Sequence, residues 1–533
     1  MPLGNESATR SSRFTMPVGI SQSSFADCVA QRIAQAPDHI AVIDGVRRMT
    51  RAQMFEEARR LGSGLAQLGL KAGAAIAFQL PNWHEACVIN LAAALYGYRL
   101  VPLLPMYREA EIGFILQESG AQALFLPESF RNFSYPDLFS RVLPATVEPQ
   151  HIFIVRGQDA RYASYGNLLG LAQELLDPRP ADAGAVKMVL YTSGSTGRPK
   201  GVLHSERGIC SLIAFAADFW DLSQSDVALV PSPVAHIGGS MYAFEFPWII
   251  GMTAVLIEVW NPERAVELIE QEKVTFCAGA TPFLEGLLKA AQARDSQLPS
   301  LRRFICGGAS VPPSLIQQAF ARFPHCTVSR AYGSTEVPII CPGIRSRNDA
   351  VFGATTDGEC AAEVKILDDN GEPVADGESG EIVARAPRMF MGYLNAQDNA
   401  TAFAEGGYFR MGDIGRLVAG RFIEITGRKK DIIIRMGENI SPLEIENVLV
   451  EHPAVKQVSI VGVPDARTGE AALAFVVVKD GAQFSLADMA QFLSKRGLAK
   501  QKFPEHLRIV SELPVNSIGK VLKRELQRIG LTG

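Results

Sequence analysis

Residues 189–202 read Val-Leu-Tyr-Thr-Ser-Gly-Ser-Thr-Gly-Arg-Pro-Lys-Gly-Val. The apolar run from Val186 to Tyr191 reads as a buried strand. It empties into a loop carrying hydroxyls at Thr192, Ser193, Ser195 and Thr196, glycines at Gly194 and Gly197, and a cation at Lys200. Glycine lets a backbone approach a ligand closely and turn its N–H groups toward it. Hydroxyls add donors, and lysine adds a compact positive charge. The combination suits a polyphosphate. A Walker loop requires Gly-x-x-x-x-Gly-Lys-Ser/Thr. Here only two residues separate Gly194 from Gly197, and Gly201 follows Lys200, so that alternative fails on spacing.

Around this loop, the first 340 or so residues alternate strand and helix signals. Thr50 and Gln53 form a capping-box pattern ahead of Met54, Ala58, Leu61, Leu65 and Leu68, which recur at helical spacing, and Gly69 is placed to end that helix. Strands are expected at Ala74–Leu80, Leu100–Leu104, Asp226–Val230, Thr253–Ile257, Val274–Ala278 and Arg303–Cys306, with helices between them. That alternation implies parallel sheets covered by helices on both faces. From about Gly358 to Ile425, short β-type runs split by Asp369-Asn-Gly371 and Gly377-Glu-Ser-Gly380 predict a small antiparallel barrel or sheet. Ser441-Pro-Leu-Glu444 is a helix start with the cap, proline and glutamate in capping-box order. It opens a final α+β unit.

Composition narrows the function. The 533 residues allow two to four domains, and 47% hydrophobic residues can bury a large core. A net charge of −4 argues against a nucleic-acid partner, which selects a basic face. The eight cysteines show no C-x-x-C pair and no metal-ligand spacing. Reduced thiols and a cytoplasmic location are expected. The longest apolar stretch, Phe246–Ile257, spans 12 residues, short of the roughly 20 that cross a bilayer, so no integral membrane segment is expected. Residues 1–18 lack the apolar core of a secretory signal and read as a disordered tail.

Four further motifs follow the loop in order: Tyr332-Gly-Ser-Thr-Glu336, Tyr408-Phe-Arg-Met-Gly-Asp413, Gly427-Arg-Lys-Lys-Asp-Ile-Ile-Ile-Arg-Met-Gly-Glu-Asn439 and Pro514-Val-Asn-Ser-Ile-Gly-Lys520. From about Ser24 onward the chain resembles the adenylate-forming superfamily of acyl-CoA synthetases, peptide-synthetase adenylation domains and luciferases. In appearance it is most similar to medium-chain or alicyclic acid:CoA ligases such as cyclohexanecarboxylate:CoA ligase. The resemblance implies an α/β fold. It implies a large N-terminal domain (19–428) of two helix-covered sheets and a small β-barrel, hinged to a mobile α+β C-terminal domain (429–533).

The resemblance also implies roles. Thr192, Ser193, Gly194, Ser195, Thr196, Gly197 and Lys200 would cradle the β- and γ-phosphates of ATP. Thr335 would meet the α-phosphate, and Glu336 would hold Mg²⁺, a hard cation on a hard oxygen. Gly308, Ala309 and Ser310 would edge the adenine. Tyr332, with Gly333 and Ser334, would present a ring to stack on it. Asp413, supported by Arg428, would take both ribose hydroxyls. Lys520 would bridge the carboxylate and the α-phosphate. Lys430 would be the hinge, and Gly437 would line the passage for the pantetheine arm of CoA. His236 would line the carboxylate pocket with Gly238, Gly239, Met241, Thr281 and Gly307. The small residues among these would leave room for a bulky acyl group. Ser232 and Ala235 place no carboxylate where an amino-acid substrate would need one, so the expected partner is a carboxylic acid without an amino group. A separate carrier protein in place of CoA, a non-catalytic nucleotide-binding protein, and assembly as a homodimer are the alternatives left open.

Overall fold

The computed structural model describes residues 24–143, 147–172, 174–192, 198–308, 311–435, 438–465, 467–515 and 520–531. Two seven-stranded sheets form the bulk of the chain. The first runs, edge to edge, Thr327–Ala331, Arg303–Gly307, Phe276–Gly279, Val227–Val230, Thr253–Leu256, Ile40–Asp44 and Arg47–Thr50. The second runs Lys200–Ser205, Val186–Thr192, Arg99–Pro102, Ala75–Phe78, Ala121–Pro127, Ile152–Val155 and Ala163–Ser164. In both, every pairing is parallel except at one edge, where a hairpin adds an antiparallel strand.

The helices fall into three layers. One core contains Val42, Val230 and Ala254 of the first sheet together with Ile76, Phe78 and Met188 of the second. It also contains the inner faces of helices Arg51–Gln67, His84–Tyr96 and Glu206–Trp220, so these lie between the sheets. Every residue of His84–Tyr96 is buried, which explains a helix with no polar stripe. Helices Pro262–Gln271, Thr281–Ala293 and Pro313–Arg322 cover the outer face of the first sheet. Glu109–Ser119 and Tyr135–Val142 cover that of the second.

Local rules hold where the pattern is strong. Gln53 N–H donates to Thr50 Oγ1 at 3.1 Å and Thr50 N–H donates to Gln53 Oε1 at 2.9 Å, closing the capping box. One expectation changes at Ser441. It caps helix Pro442–Leu449 by backbone position, yet its hydroxyl makes no cap bond and donates instead to the Thr426 carbonyl. The competing acceptor is a carbonyl of the neighbouring sheet, and the bond ties this helix to strand Phe422–Arg428. Glu444 is likewise drawn off, to Lys502 Nζ at 2.7 Å.

Strands Glu363–Leu367, Gly380–Arg385, Phe403–Ala404, Tyr408–Val418 and Phe422–Arg428 make a five-stranded antiparallel sheet. The chain then crosses a short turn, Lys429–Asp431, into a second five-stranded sheet built on the Val455–Asp465/Gly469–Val478 hairpin. Helices Pro442–Leu449, Leu486–Lys495 and Lys523–Leu531 pack on it.

Candidate active site

Three of the sequence-predicted positions lie at the carboxyl ends of parallel-sheet strands, where open α/β sheets bind ligands. Thr192 ends Val186–Thr192, Gly308 follows Arg303–Gly307, and Tyr332 follows Thr327–Ala331. Gly308 has φ +83°, and a Cβ added there would meet nothing within 4 Å, so its glycine serves the turn rather than a close contact. Ser193, Gly194, Ser195, Thr196, Gly197, Ala309, Ser310 and Gly437 lie outside the described residues.

Lys200 pairs in register with Thr192 across the hairpin. Its Nζ lies 3.5 Å from Asp398 Oδ1 and 4.8 Å from the centre of the Tyr393 ring. Arg198 is 2.9 Å from Asp398 and 3.8 Å from Glu118. Glu336 is buried, and Tyr393 donates its hydroxyl to Glu336 Oε1 at 2.8 Å. The Glu336 carboxylate is a hard oxygen donor of the kind that could hold a divalent cation. Thr335 is buried beside it, and His204 is a buried neighbour whose Nε2 has no hydrogen-bond partner among the described residues. Burial holds the His204 imidazolium pKa down to about 4.

Tyr332 donates its hydroxyl to Asp413 Oδ2 at 2.8 Å, and Arg428 Nε lies 2.7 Å from Asp413 Oδ1. Three expected residues thus form one chain. The ring of Tyr332 packs into the core of the small antiparallel sheet beside Ile340 and Phe409. Gly333 and Ser334 form the tight turn that follows: Ser334 N–H donates to the Val337 carbonyl at 3.1 Å, and Ser334 Oγ accepts from Val337 N–H at 3.2 Å.

Lys520 comes from the C-terminal unit, yet it lies among Arg428, Asp413, Lys430 and Asp431 and within electrostatic reach of His236. Burial, and then the repulsion of Arg428, lowers its ammonium pKa to about 8, against the opposing pull of Asp413. His236 caps the one-turn helix Ile237–Ser240, its Nδ1 accepting from Gly238 N–H at 3.4 Å. Acceptance at Nδ1 leaves the ring proton on Nε2. Burial, reinforced by Lys520, brings the His236 pKa to about 4, so it is neutral at pH 7 and offers a carboxylate an N–H rather than a charge.

The segment after His236 departs from expectation. A Cβ at Gly239 would meet the Pro233 carbonyl oxygen at 2.0 Å. Its glycine is required by a backbone contact. Gly307 is similar, with the Ala331 carbonyl oxygen 2.6 Å from such a Cβ. Of the small residues expected to leave space, Gly238 faces room, its nearest neighbour being His236 Nδ1 at 3.8 Å. Met241–Glu245 is a π-helix, a form that recurs at functional sites. Its last residue, Glu245, meets Lys187 Nζ at 2.7 Å, with both side chains at most 3% exposed. Lys187 also sits 3.7 Å from the centre of the Phe25 ring. Sequence reading missed this pair, because a lysine inside a strand run and a glutamate inside an apolar run each look like a solvated exception. Tyr393 and Asp398 were missed as well. They lie in a connecting segment with no motif and reach the site only through tertiary contacts.

The chain matches known proteins over most of its length. The model of the AMP-binding enzyme family matches residues 29–394, and that of the AMP-binding enzyme C-terminal domain matches residues 444–520. The medium-chain fatty-acid–CoA ligase of Escherichia coli (strain K12) is 34% identical, over 95% of this chain and 90% of that protein. The 2,3-dihydroxybenzoate-AMP ligase of Bacillus subtilis (strain 168) is 29% identical, over 94% and 93%. The crystal structure of ATP-bound MatB from Rhodopseudomonas palustris superposes with a TM-score of 0.84 at 25% identity, covering 95% of this chain and 99% of that one.

Proposed function

Because the chain belongs to the AMP-binding enzyme family, we propose that it is an acid:CoA ligase. It joins a fatty, alicyclic or aromatic carboxylic acid to ATP, forming an acyl-adenylate and pyrophosphate. It then transfers the acyl group to CoA with release of AMP. The observation that supports this reading is that Lys520, from the C-terminal unit, is buried within electrostatic reach of Arg428 and Asp413, which pair at 2.7 Å, and of His236.

In the first step a carboxylate oxygen attacks the α-phosphorus and the bond to pyrophosphate breaks. Negative charge gathers at the α-phosphate, and preorganised positive groups there supply much of the rate. We assign that task to Lys520, with the Thr335 hydroxyl. Lys200 holds the departing phosphates. Asp413 accepts from the ribose hydroxyls while Arg428 and Tyr332 fix its two oxygens. His236 donates from Nε2 to the acid. Glu336 is the residue that would hold Mg²⁺, which when bound screens charge on the phosphates. In the second step the CoA sulfur attacks the acyl carbon and AMP leaves. We place the hinge for that change at Lys430, between domains 19–428 and 429–533, with Gly437 on the thiol path. A cytoplasmic location and a homodimer complete the reading. No described helix is long and apolar enough to cross a membrane.

The likeness to an aryl-AMP ligase favours one second reading, transfer to a separate carrier protein. The test is AMP formation with and without CoA across a panel of carboxylic acids, with mass detection of products. An acyl-CoA from one chain or ring class supports the ligase. An acyl-adenylate that accumulates and ignores CoA supports carrier loading.

A further inference from the structure

The cations beside the phosphate loop are already neutralised by the protein. Lys200 and Arg198 face Asp398, and Arg198 also faces Glu118. Asp398 is not a casual surface partner. Its side chain is 14% exposed, and it sits in the short 3₁₀ turn Ala396–Asn399, where its N–H donates to the Asn395 carbonyl at 3.0 Å. The base of that turn is locked on Tyr393: Asn399 Oδ1 accepts from Tyr393 N–H at 2.8 Å, and Asn399 Nδ2 donates to the Tyr393 carbonyl at 3.2 Å.

The segment is also laced to the loop's own hairpin. Leu394 N–H donates to the Gly201 carbonyl at 2.8 Å, Met391 N–H to Leu203 at 2.8 Å, and Leu203 N–H to Gly392 at 3.0 Å. The carboxylate is therefore held at a fixed place next to Lys200. The pair is not a tight one. At 3.5 Å, and with 20% of the lysine side chain exposed, it is an ion pair that a stronger anion can displace.

We propose that Asp398 is an exchange partner for the phosphates, holding Lys200 and Arg198 when the site is empty, yielding them when a triphosphate enters, and recapturing them as pyrophosphate leaves. The inference rests on the reading of Lys200 as a phosphate-binding cation. Asp398 touches no reacting atom and acts through Lys200 and Arg198, which makes it a positioning residue. Removing its charge has an unusual sign. A residue that merely supports the fold weakens ligand binding when it is changed, whereas a competing anion tightens it.

The experiment is calorimetric titration of the full chain with inorganic pyrophosphate and Mg²⁺, and separately with AMP, for the wild type, Asp398→Asn, Asp398→Glu and Lys200→Ala. Asp398→Asn is expected to bind pyrophosphate about threefold more tightly, the scale of one partly exposed ion pair. AMP affinity should not change, since AMP lacks the β- and γ-phosphates, and this constancy also checks that the variant is folded. Asp398→Glu should restore the wild-type value. Pyrophosphate binding that is unchanged or weaker in Asp398→Asn, with Lys200→Ala clearly weakened, overturns the exchange role and leaves the phosphate reading of Lys200 standing. Unaltered pyrophosphate binding in Lys200→Ala overturns both.

Discussion

Two regions of the candidate site, the one beside Lys200 and the one after His236, hold charge in opposite ways. Around the phosphate loop, Lys200 and Arg198 meet their carboxylate while 20% and 40% of their side chains stay exposed. Beneath the segment after His236, Lys187 and Glu245 are sealed at 3% and 1% exposure, with two 2.7 Å contacts between them. A half-open pair costs little to make and little to break. A sealed pair cannot be opened without stranding a charge in the core. The first kind is suited to ligands that come and go, and the second to fixing a wall.

The largest effect should come from breaking the sealed pair. Glu245→Gln takes from Lys187 the carboxylate it meets at 2.7 Å and leaves the buried ammonium over the Phe25 ring, with Glu206, which already accepts from Phe25 N–H, as the other carboxylate of the cluster. A loss of about 3–5 kcal/mol of stability is expected, read as a lowered denaturation midpoint. The double variant Lys187→Met with Glu245→Met removes both charges and should recover most of that loss. If the π-helix Met241–Glu245 shapes the acyl wall, the double variant will still show an altered preference among acids while its KM for ATP holds. Full stability in Glu245→Gln alone would erase the contrast between the two regions.

Lys520→Ala tests the expected nucleotide site. Adenylation should fall by about 10²–10³-fold, the scale for removing one preorganised group at developing charge. Thioester formation from a supplied acyl-adenylate should persist, and equal loss of both half-reactions would refute this division of labour. The same lysine sets a pH dependence. Its pKa is lowered to about 8, so it is charged below that pH and loses its proton above it. Adenylation kcat/KM should therefore decline as pH rises through about 8. Bound triphosphate favours the cation, so the decline in kcat should sit at higher pH. An alkaline limb that survives unchanged in a variant lacking Lys520 would assign it to another group.

The same contrast explains what could be read from sequence. The expected nucleotide end is carried by short contiguous motifs, so the resemblance to the family could be read there residue by residue, at Thr192, Lys200, Tyr332, Glu336 and Asp413. The parallel sheets were legible because most of their strands are short, mainly apolar runs and helices between them carry caps such as Thr50–Gln53. The expected acyl pocket draws on side chains from separate elements, and there the sequence says least. Gly239 and Gly307 looked like space and are backbone contacts. Ser441 looked like a cap and is a stitch to Thr426. Lys187 and Glu245 are 58 residues apart, and neither carries a signal that names the other. Periodicity reports which face is buried but not which buried polar groups will meet.

Tyr393 joins the two ends of the nucleotide site at the smallest scale. Its ring lies under Lys200, and its hydroxyl holds Glu336 Oε1 at 2.8 Å. Tyr393→Phe keeps the ring and removes only the hydrogen bond. Lys200 therefore retains its seat, while the Glu336 carboxylate can rotate and no longer presents Oε2 in one direction. If Glu336 holds Mg²⁺, the Mg²⁺ concentration for half-maximal pyrophosphate release should rise about threefold to tenfold, since a hydrogen bond to a charged group contributes about 1.5–3 kcal/mol and part of it is recovered from water. AMP affinity should stay constant, because Asp413 and Tyr332 form a separate chain. An unchanged Mg²⁺ requirement would mean that the hydroxyl supports the fold of the segment and does not aim the carboxylate. A loss of AMP affinity would mean that the two chains are mechanically one.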